Sequence, residues 1–547
     1  MNTLPQDIYN AIGNFLQDPE FDQSALATVS RRWQSAIERH TFKDIRLRSN
    51  DLARFEAVVQ NDRRRYVRTI EYIIILPGYA DEDRRQFEHH NDRRANDQEF
   101  TDAIHRLFQL LRFWDVSECG HIRLIIEDVY SQSDFPCVRW SSPERDAGMF
   151  DWVRFNDDDT VADLLNWRHR YSSLRLLLPS ELPVVPVIDQ YRASITTRKI
   201  CGRVPIEIAT RLPNLREAYW FMSDQLIHRY ITLRRTRRSN LAQAFAKLLP
   251  QSLQLRSLSL IMPSTHLWGL NPPNETLHPE TPHRDTLSDV VRTATAHMPA
   301  LRKLVIYGLV DWSLLWPGLT PAIVEPYWQN MEYLEVRFDP MRPSGGYYFV
   351  DAEHPAQLGD VSLEAEAPPG YRNNEEEEAA AVASLSEYFY GPPNGPLRRK
   401  VYEVVPDDAS LVPLIKAFGQ ACLQMPKLKA AEISSLVPTS TELDTGERVT
   451  RNSQWGIYYF SPHTPYIHQN HFPHPAEDRY QRRLFWDVRD WRPDTGLQGL
   501  LKGIGRERHG EQLVERFIDS WNTFRKGSYV QDLKRRRSGH ASENQFP

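Results

Sequence analysis

The sequence predicts a mixed α/β protein: a short helical module at the N-terminus, then an irregular α/β solenoid or horseshoe with long loop insertions. Three observations carry this. Apolar residues in the first 47 positions recur at helical spacing. From residue 48 onward, amphipathic helical patterns alternate with short aliphatic strands. A recurrent junction joins them: Leu or Met before Pro, then L-x-x-L or L-x-L.

The totals set the frame. The chain has 547 residues, 41% hydrophobic and 25% charged, an ordinary globular composition with room for roughly two to four domains. The net charge of −5 points to neither nucleic acid nor an anionic membrane as a partner. Cys119, Cys137, Cys201 and Cys422 are scattered without a CxxC pair, so neither a zinc ribbon nor a disulfide framework is expected. There is no basic stretch followed by an apolar run of the kind that opens a secretory signal. The longest aliphatic stretch, Tyr72–Leu76, is far short of the roughly 20 residues a membrane helix needs. A soluble protein of the cytoplasm or nucleus is expected.

The first element starts at Leu4-Pro5, where proline suits the opening turn of a helix. Ile8, Ile12, Phe15 and Leu16 follow on one helical face. The acidic run DPEFDQ interrupts them. Leu26, Val29, Trp33 and Ile37 form a second series, with Ser30 placed to cap the helix that contains Trp33. So small a module, without cysteines, must lean on the rest of the chain or on a partner.

These residues resemble the F-box. The matching positions are Leu4-Pro5, Ile8, Ile12 and Phe15-Leu16, then Leu26-Ala27 and Val29-Ser30-Arg31-Arg32-Trp33 after a short acidic gap. The resemblance covers about residues 3–47. It implies that Leu4, Pro5, Ile8, Ile12, Leu16, Leu26, Val29 and Trp33 bind a Skp-type adaptor or form the module's core, and that the adaptor links the chain to a cullin. It implies a substrate-recognition subunit of a cullin-RING ubiquitin ligase: not an enzyme, without cofactor, holding an unknown protein substrate on the body. Two alternatives stay open: a non-degradative F-box scaffold, and an enzyme with a site built from body loops.

The body follows over 48–340. Helical patterns at 99–115, 240–251, 286–299 and 410–426 precede strands at 121–130, 255–263, 300–310 and 427–437. Such alternation implies parallel pairing. The L-x-x-L-x-L core resembles a degenerate leucine-rich repeat. Its period departs from the roughly 20–29 residues of true repeats: Pro213 and Pro250 lie about 37 apart, Pro250 and Pro299 about 49. The Asn or Cys that usually follows the strand is missing. A compact α/β domain with a mostly parallel sheet is the second architecture considered.

Residues 341–400, with PPGYRNNEEEEAAA, suggest an exposed, partly disordered insertion, and 438–480 also reads as loop. Residues 401–530 continue the body: aromatic strands at 455–462 and 482–493, then an amphipathic helix at 509–524 presenting Leu513, Phe517 and Trp521. The run LFWDVRDWRPD is similar to one in the C-terminal part of F-box proteins of filamentous fungi. The tail 531–547 is basic, with Lys534–Arg537 as an exposed charged run. His463, His468, His471 and His474 lie in a Pro-broken loop that fixes no metal geometry. Asp157–Asp159 fit a helix start, and Arg63–Arg65 a solvated face. No nucleotide-binding, zinc-protease or nucleophile-elbow motif occurs.

Overall fold

The computed structural model describes residues 5–15, 23–80, 83, 87–134, 168–169, 172–194, 198–222, 231–248, 254–262, 276–277, 284–318, 328–350, 405–442, 448–465 and 476–518. The chain is mixed α/β and forms two compact units, one made of the described residues up to 262 and the other of those from 276 onward.

In the first unit, helices α1 (Gln6–Phe15), α2 (Gln23–Val29) and α3 (Arg31–Thr41) lead into β1 (Asp44–Arg48). Strands β2 (Thr69–Leu76), β3 (Ile122–Ser131), β4 (Ile188–Ala193), β5 (Glu217–Phe221) and β6 (Ser257–Met262) follow, adjacent in chain order and paired parallel. Between them run α4 (Leu52–Val58), α5 (His90–Leu111), α6 (Val116–Cys119), α7 (Arg203–Ala209) and α8 (Ile231–Leu248). The helices expected at 99–115 and 240–251 lie largely within α5 and α8.

The two faces of this sheet differ. One register row runs Tyr72, Ile126, Ala193, Trp220, all buried. Tyr72 donates its hydroxyl to the Ala103 carbonyl of α5 at 2.9 Å, and Trp220 packs on Phe245 of α8 with ring centroids 6.3 Å apart. The neighbouring row, Arg46–Glu71–Ile125–Arg192–Tyr219–Ser259, contains no buried residue. Parallel sheets are usually covered on both faces and read as continuous apolar runs. Here the strands alternate, and among the described residues α5 and α8 pack on the face that carries Tyr72 and Trp220.

A second regularity lies at the strand starts. Arg68 N donates to Lys43 O, Arg123 N to Arg68 O, Arg216 N to Asp189 O and Arg256 N to Arg216 O, at 2.7–2.8 Å. The second unit repeats it: Glu332 N donates to Arg302 O and Lys429 N to Glu332 O. Most of these residues follow an apolar one, as in Leu215-Arg216, Leu255-Arg256 and Leu301-Arg302. The repeat is therefore kept in the backbone register although its length in sequence varies.

In the second unit, β7 (Lys303–Gly308), β8 (Tyr333–Phe338) and β11 (Ala430–Glu442) pair parallel, with α9 (Thr286–Ala296) before β7 and α10 (Asp408–Leu423) before β11. A short pair, β9 (Phe349–Val350) and β10 (Val405–Pro406), lies outside this sheet. From β11 the pattern changes. β12 (Arg448–Phe460) is antiparallel to β11 and to β13 (Arg482–Asp487), and β14 (Leu513–Phe517) is parallel to β13. Helices α11 (Thr495–Lys502) and α12 (Arg506–His509) fill the last crossover.

Three expectations are corrected. Residues 438–442 and 448–454, read as loop, extend the β11–β12 hairpin, since their Thr and Val content suits a strand. The helix expected over 509–524 is interrupted: α12 ends at His509, Gly510 takes φ +83, and 513–517 form β14. A spacing of four residues, as between Leu513 and Phe517, fits one helix face and one strand face alike. Phe517 stacks on Trp486 at 5.4 Å, and the Trp486 Nε1–H donates to Glu515 at 3.1 Å. Thirdly, Arg63 and Arg64 are half-buried rather than solvated, lying over the rings of Phe42 and Trp114.

Candidate partner-binding face of the N-terminal helices

Two stripes on α1 have opposite environments. Tyr9 and Gly13, four residues apart, turn inward. Tyr9 is 2% exposed and meets Trp33 edge-to-face with ring centroids 5.1 Å apart. Gly13 faces Ala36, where an added Cβ would sit 3.8 Å from that side chain. Ala36 and Ile37 of α3 are buried. Ser30 caps α3 as expected, accepting the Trp33 N–H at 3.3 Å.

The aliphatic stripe turns outward. Ile8 is 43% exposed, Ile12 36% and Val29, at the end of α2, 66%. Pro5 is exposed, and its carbonyl accepts the Ile8 N–H at 3.1 Å. Leu26 and Trp33 are half-buried. Of the residues singled out in the sequence, Pro5, Ile8, Ile12 and Val29 thus face solvent, Trp33 joins the interior, and Leu4 and Leu16 lie outside the described residues. A helix normally buries its aliphatic stripe and exposes its small and polar residues. In α1 the aliphatic Ile8 and Ile12 are exposed, while Tyr9 and Gly13 are buried.

The module is fixed to the first unit through α3. Arg63 donates from Nε and Nη2 to Glu38 Oε1 at 3.1 and 2.7 Å, and the Ser35 and Tyr66 hydroxyls are 2.9 Å apart. Burial pushes the Glu38 carboxyl up, but the hydrogen bonds from Arg63 and Gln34 outweigh it and hold the group below its ordinary value.

A second cluster sits where β2, β3 and β4 end. Asp134 accepts from Tyr79 OH at 2.7 Å, from the Ser131 N–H at 2.8 Å and from His169 Nε2 at 3.2 Å. Arg198 donates to Glu88 Oε1 at 3.2 Å and to His169 Nδ1. Asn96 donates to Glu88 at 2.5 Å. Arg168 lies over the Tyr79 ring and bonds Asp92 at 2.5 Å and the Asp83 carbonyl at 2.7 Å. Glu88, His169, Arg168 and Arg198 are all buried. Burial pushes the Asp134 carboxyl up, but the His169 hydrogen bond and the Arg198 charge hold it well below the usual carboxylate range. Burial and Arg198 together push His169 below its ordinary value. Both nitrogens of His169 are engaged within the cluster, so as arranged it ties loops together and offers no free base. Sequence reading missed this cluster because its members are spread from Tyr79 to Arg198 and share no motif.

Among the described residues, no group of three or more His, Cys, Asp or Glu side chains is placed to hold a metal ion. His463 packs against Tyr480 at 5.3 Å, while His468, His471, His474, Asp157–Asp159 and Lys534–Arg537 lie outside the described residues. Among the described residues, no helix is long and apolar enough to cross a membrane. No family model matches the chain, and no curated protein matches it.

Proposed function

We propose that this chain is an F-box-type subunit of a cullin-RING ubiquitin ligase, in which α1–α3 bind a Skp-type adaptor and the α/β body holds a protein substrate. The observation that carries the reading is the outward aliphatic stripe of Ile8, Ile12 and Val29 on a module whose own interior is already filled by Tyr9, Trp33, Ala36 and Ile37. Water-facing isoleucines at helical spacing cost stability unless a partner covers them. The residues involved are those of the F-box pattern.

Two features of the body support a leucine-rich-repeat-like solenoid over a doubly covered α/β domain: the open sheet face and the strand-start ladder. A third replaces the missing Asn. Asp134 follows β3, Asp311 follows β7 and Asp339 follows β8, and each accepts a nearby backbone N–H, from Ser131, Ser313 and Met341 at 2.8–3.0 Å. In this reading the chain supplies proximity, raising the local concentration of substrate beside the recruited conjugating enzyme. The ubiquitin chemistry belongs to other subunits.

The test is affinity purification of the tagged protein alongside an Ile8→Asp, Ile12→Asp double variant. Both side chains are exposed, so the variant should fold. Central apolar anchors carry much of the energy of an interface, and adaptor and cullin capture should fall by about tenfold or more. Equal capture by both proteins, or adaptor captured by neither, would remove the reading.

A further inference from the structure

We propose that the Glu88–Asp134–His169–Arg198 cluster is an acid-sensitive lock on the loops that leave β2, β3 and β4: proton uptake at His169 Nδ1 displaces Arg198 and loosens those loops while the sheet stays formed. The argument is one of donors and acceptors. An arginine only donates, so the contact of Arg198 with His169 Nδ1 requires a lone pair on that nitrogen. The Asp134 carboxylate only accepts, so His169 Nε2 carries the proton it shares with Asp134. The partners thus hold His169 as one neutral tautomer.

A proton on Nδ1 would set two donors and two cations face to face. Among the charged partners of His169, Glu88 Oε1 lies 3.8 Å from Nδ1. That oxygen already takes Arg198 and Asn96. Arg198 has little room to compensate, because its Nε and Nη2 have no hydrogen-bond partner in the cluster and its Nε lies 3.6 Å from Asp134.

Every loop at this edge contributes a group that faces the imidazole or its partners. Tyr79, after β2, sets its ring against His169 with centroids 6.2 Å apart. Asp134 follows β3 and Arg198 follows β4. Glu88 precedes α5, Asp92 and Asn96 lie in its first two turns, and Arg168 adjoins His169 itself. The depressed protonation of His169 in the folded chain agrees with this geometry. Its folded value lies below the unfolded one, so its contribution is complete above about pH 6.5 and is lost as pH falls toward the folded value.

Hydrogen exchange of the full chain, read by mass spectrometry at pH 7.5 and 5.5 and corrected for intrinsic rates, tests this. Exchange around Tyr79, Gln132–Asp134 and Arg198–Gly202 should quicken, by up to about tenfold per pH unit for one linked proton, while β2, β3 and β4 stay protected. Unchanged loops, or a rise shared by the whole unit, would overturn the lock. His169→Gln keeps one donor and one acceptor without titrating, and should abolish the response. If that variant does not fold, Arg198→Met removes the cation that the proton would displace and should likewise abolish the response. A response unmoved in the variant examined would also overturn the lock.

Discussion

At the scale of single residues, the buried arginines show how a charge without a carboxylate is kept. Arg482 is 2% exposed. It donates to the carbonyls of Lys502, Ile504 and Glu511 at 2.7–3.0 Å, closing the end of α11 and the turn after it. Lys502 O is one of the acceptors a helix end leaves open. Replacing Arg482 by Met would leave those carbonyls buried with fewer donors, at a cost of about 3 kcal/mol. Urea unfolding followed by Trp fluorescence should report that loss. Nearby, Gly505 takes φ +69, and a Cβ there would fall 1.9 Å from the Tyr459 hydroxyl, so no other residue fits without moving that ring. None of this was legible in the sequence, where the aromatic strand pattern over 482–493 does not show that its two leading arginines are buried. The reversed stripes of α1 were half legible: helical spacing marked Ile8 and Ile12 as apolar-face positions, but the same spacing serves a core or an interface.

At the scale of elements, helix starts and strand ends meet in buried carboxylates. Asp285 caps α9 by accepting from the Ser288 N–H at 3.0 Å, and Asp311 caps the turn Trp312–Leu314 through the Ser313 N–H at 2.9 Å. The Asp285 N–H donates to Asp311 at 2.9 Å, placing the two acids together. Burial, then the charge of Asp285, pushes the Asp311 carboxyl up to about 6. The folded value exceeds the unfolded one, so this group's contribution is complete below about pH 4 and is lost as pH rises through 6. The denaturation midpoint of the wild type, measured against Asp311→Asn, should therefore fall between pH 5 and 7. The sign is opposite to that of His169. Element types were largely legible. Alternating aliphatic runs located β3, β6, β7 and β11, and Pro after Leu or Met marked where helices stop. The exceptions were the outer part of the β11–β12 hairpin, read as loop, and β14, where one spacing matched two periods and pairing to β13 decided.

At the scale of the whole chain, the proposed roles separate in space. The outward stripe lies on α1 and α2, while the open row Arg46–Glu71–Ile125–Arg192–Tyr219–Ser259 lies on the strands. Arg192 rests over Tyr219 at 5.0 Å, making the middle of that row an aromatic platform with a cation above it. Substituting Arg192→Glu with Tyr219→Ala should release captured substrate proteins and spare adaptor binding, whereas Ile8→Asp with Ile12→Asp should do the reverse. Quantitative mass spectrometry of the two purifications separates these outcomes, and joint loss in either variant would contradict the division. The strand-start ladder has a further consequence, for descent rather than for binding. A strand in such a sheet takes its register from the strand before it, and its connection passes outside that register. Lengthening the connection costs little, about 0.6 kcal/mol for each doubling of a flexible loop. Mutation can thus insert, delete and rewrite the stretches between strands while the starts at Lys43, Arg68, Arg216 and Arg256 stay in step. A lineage built this way can change its connections quickly and leave a scaffold whose ancestry is hard to read from residue identities.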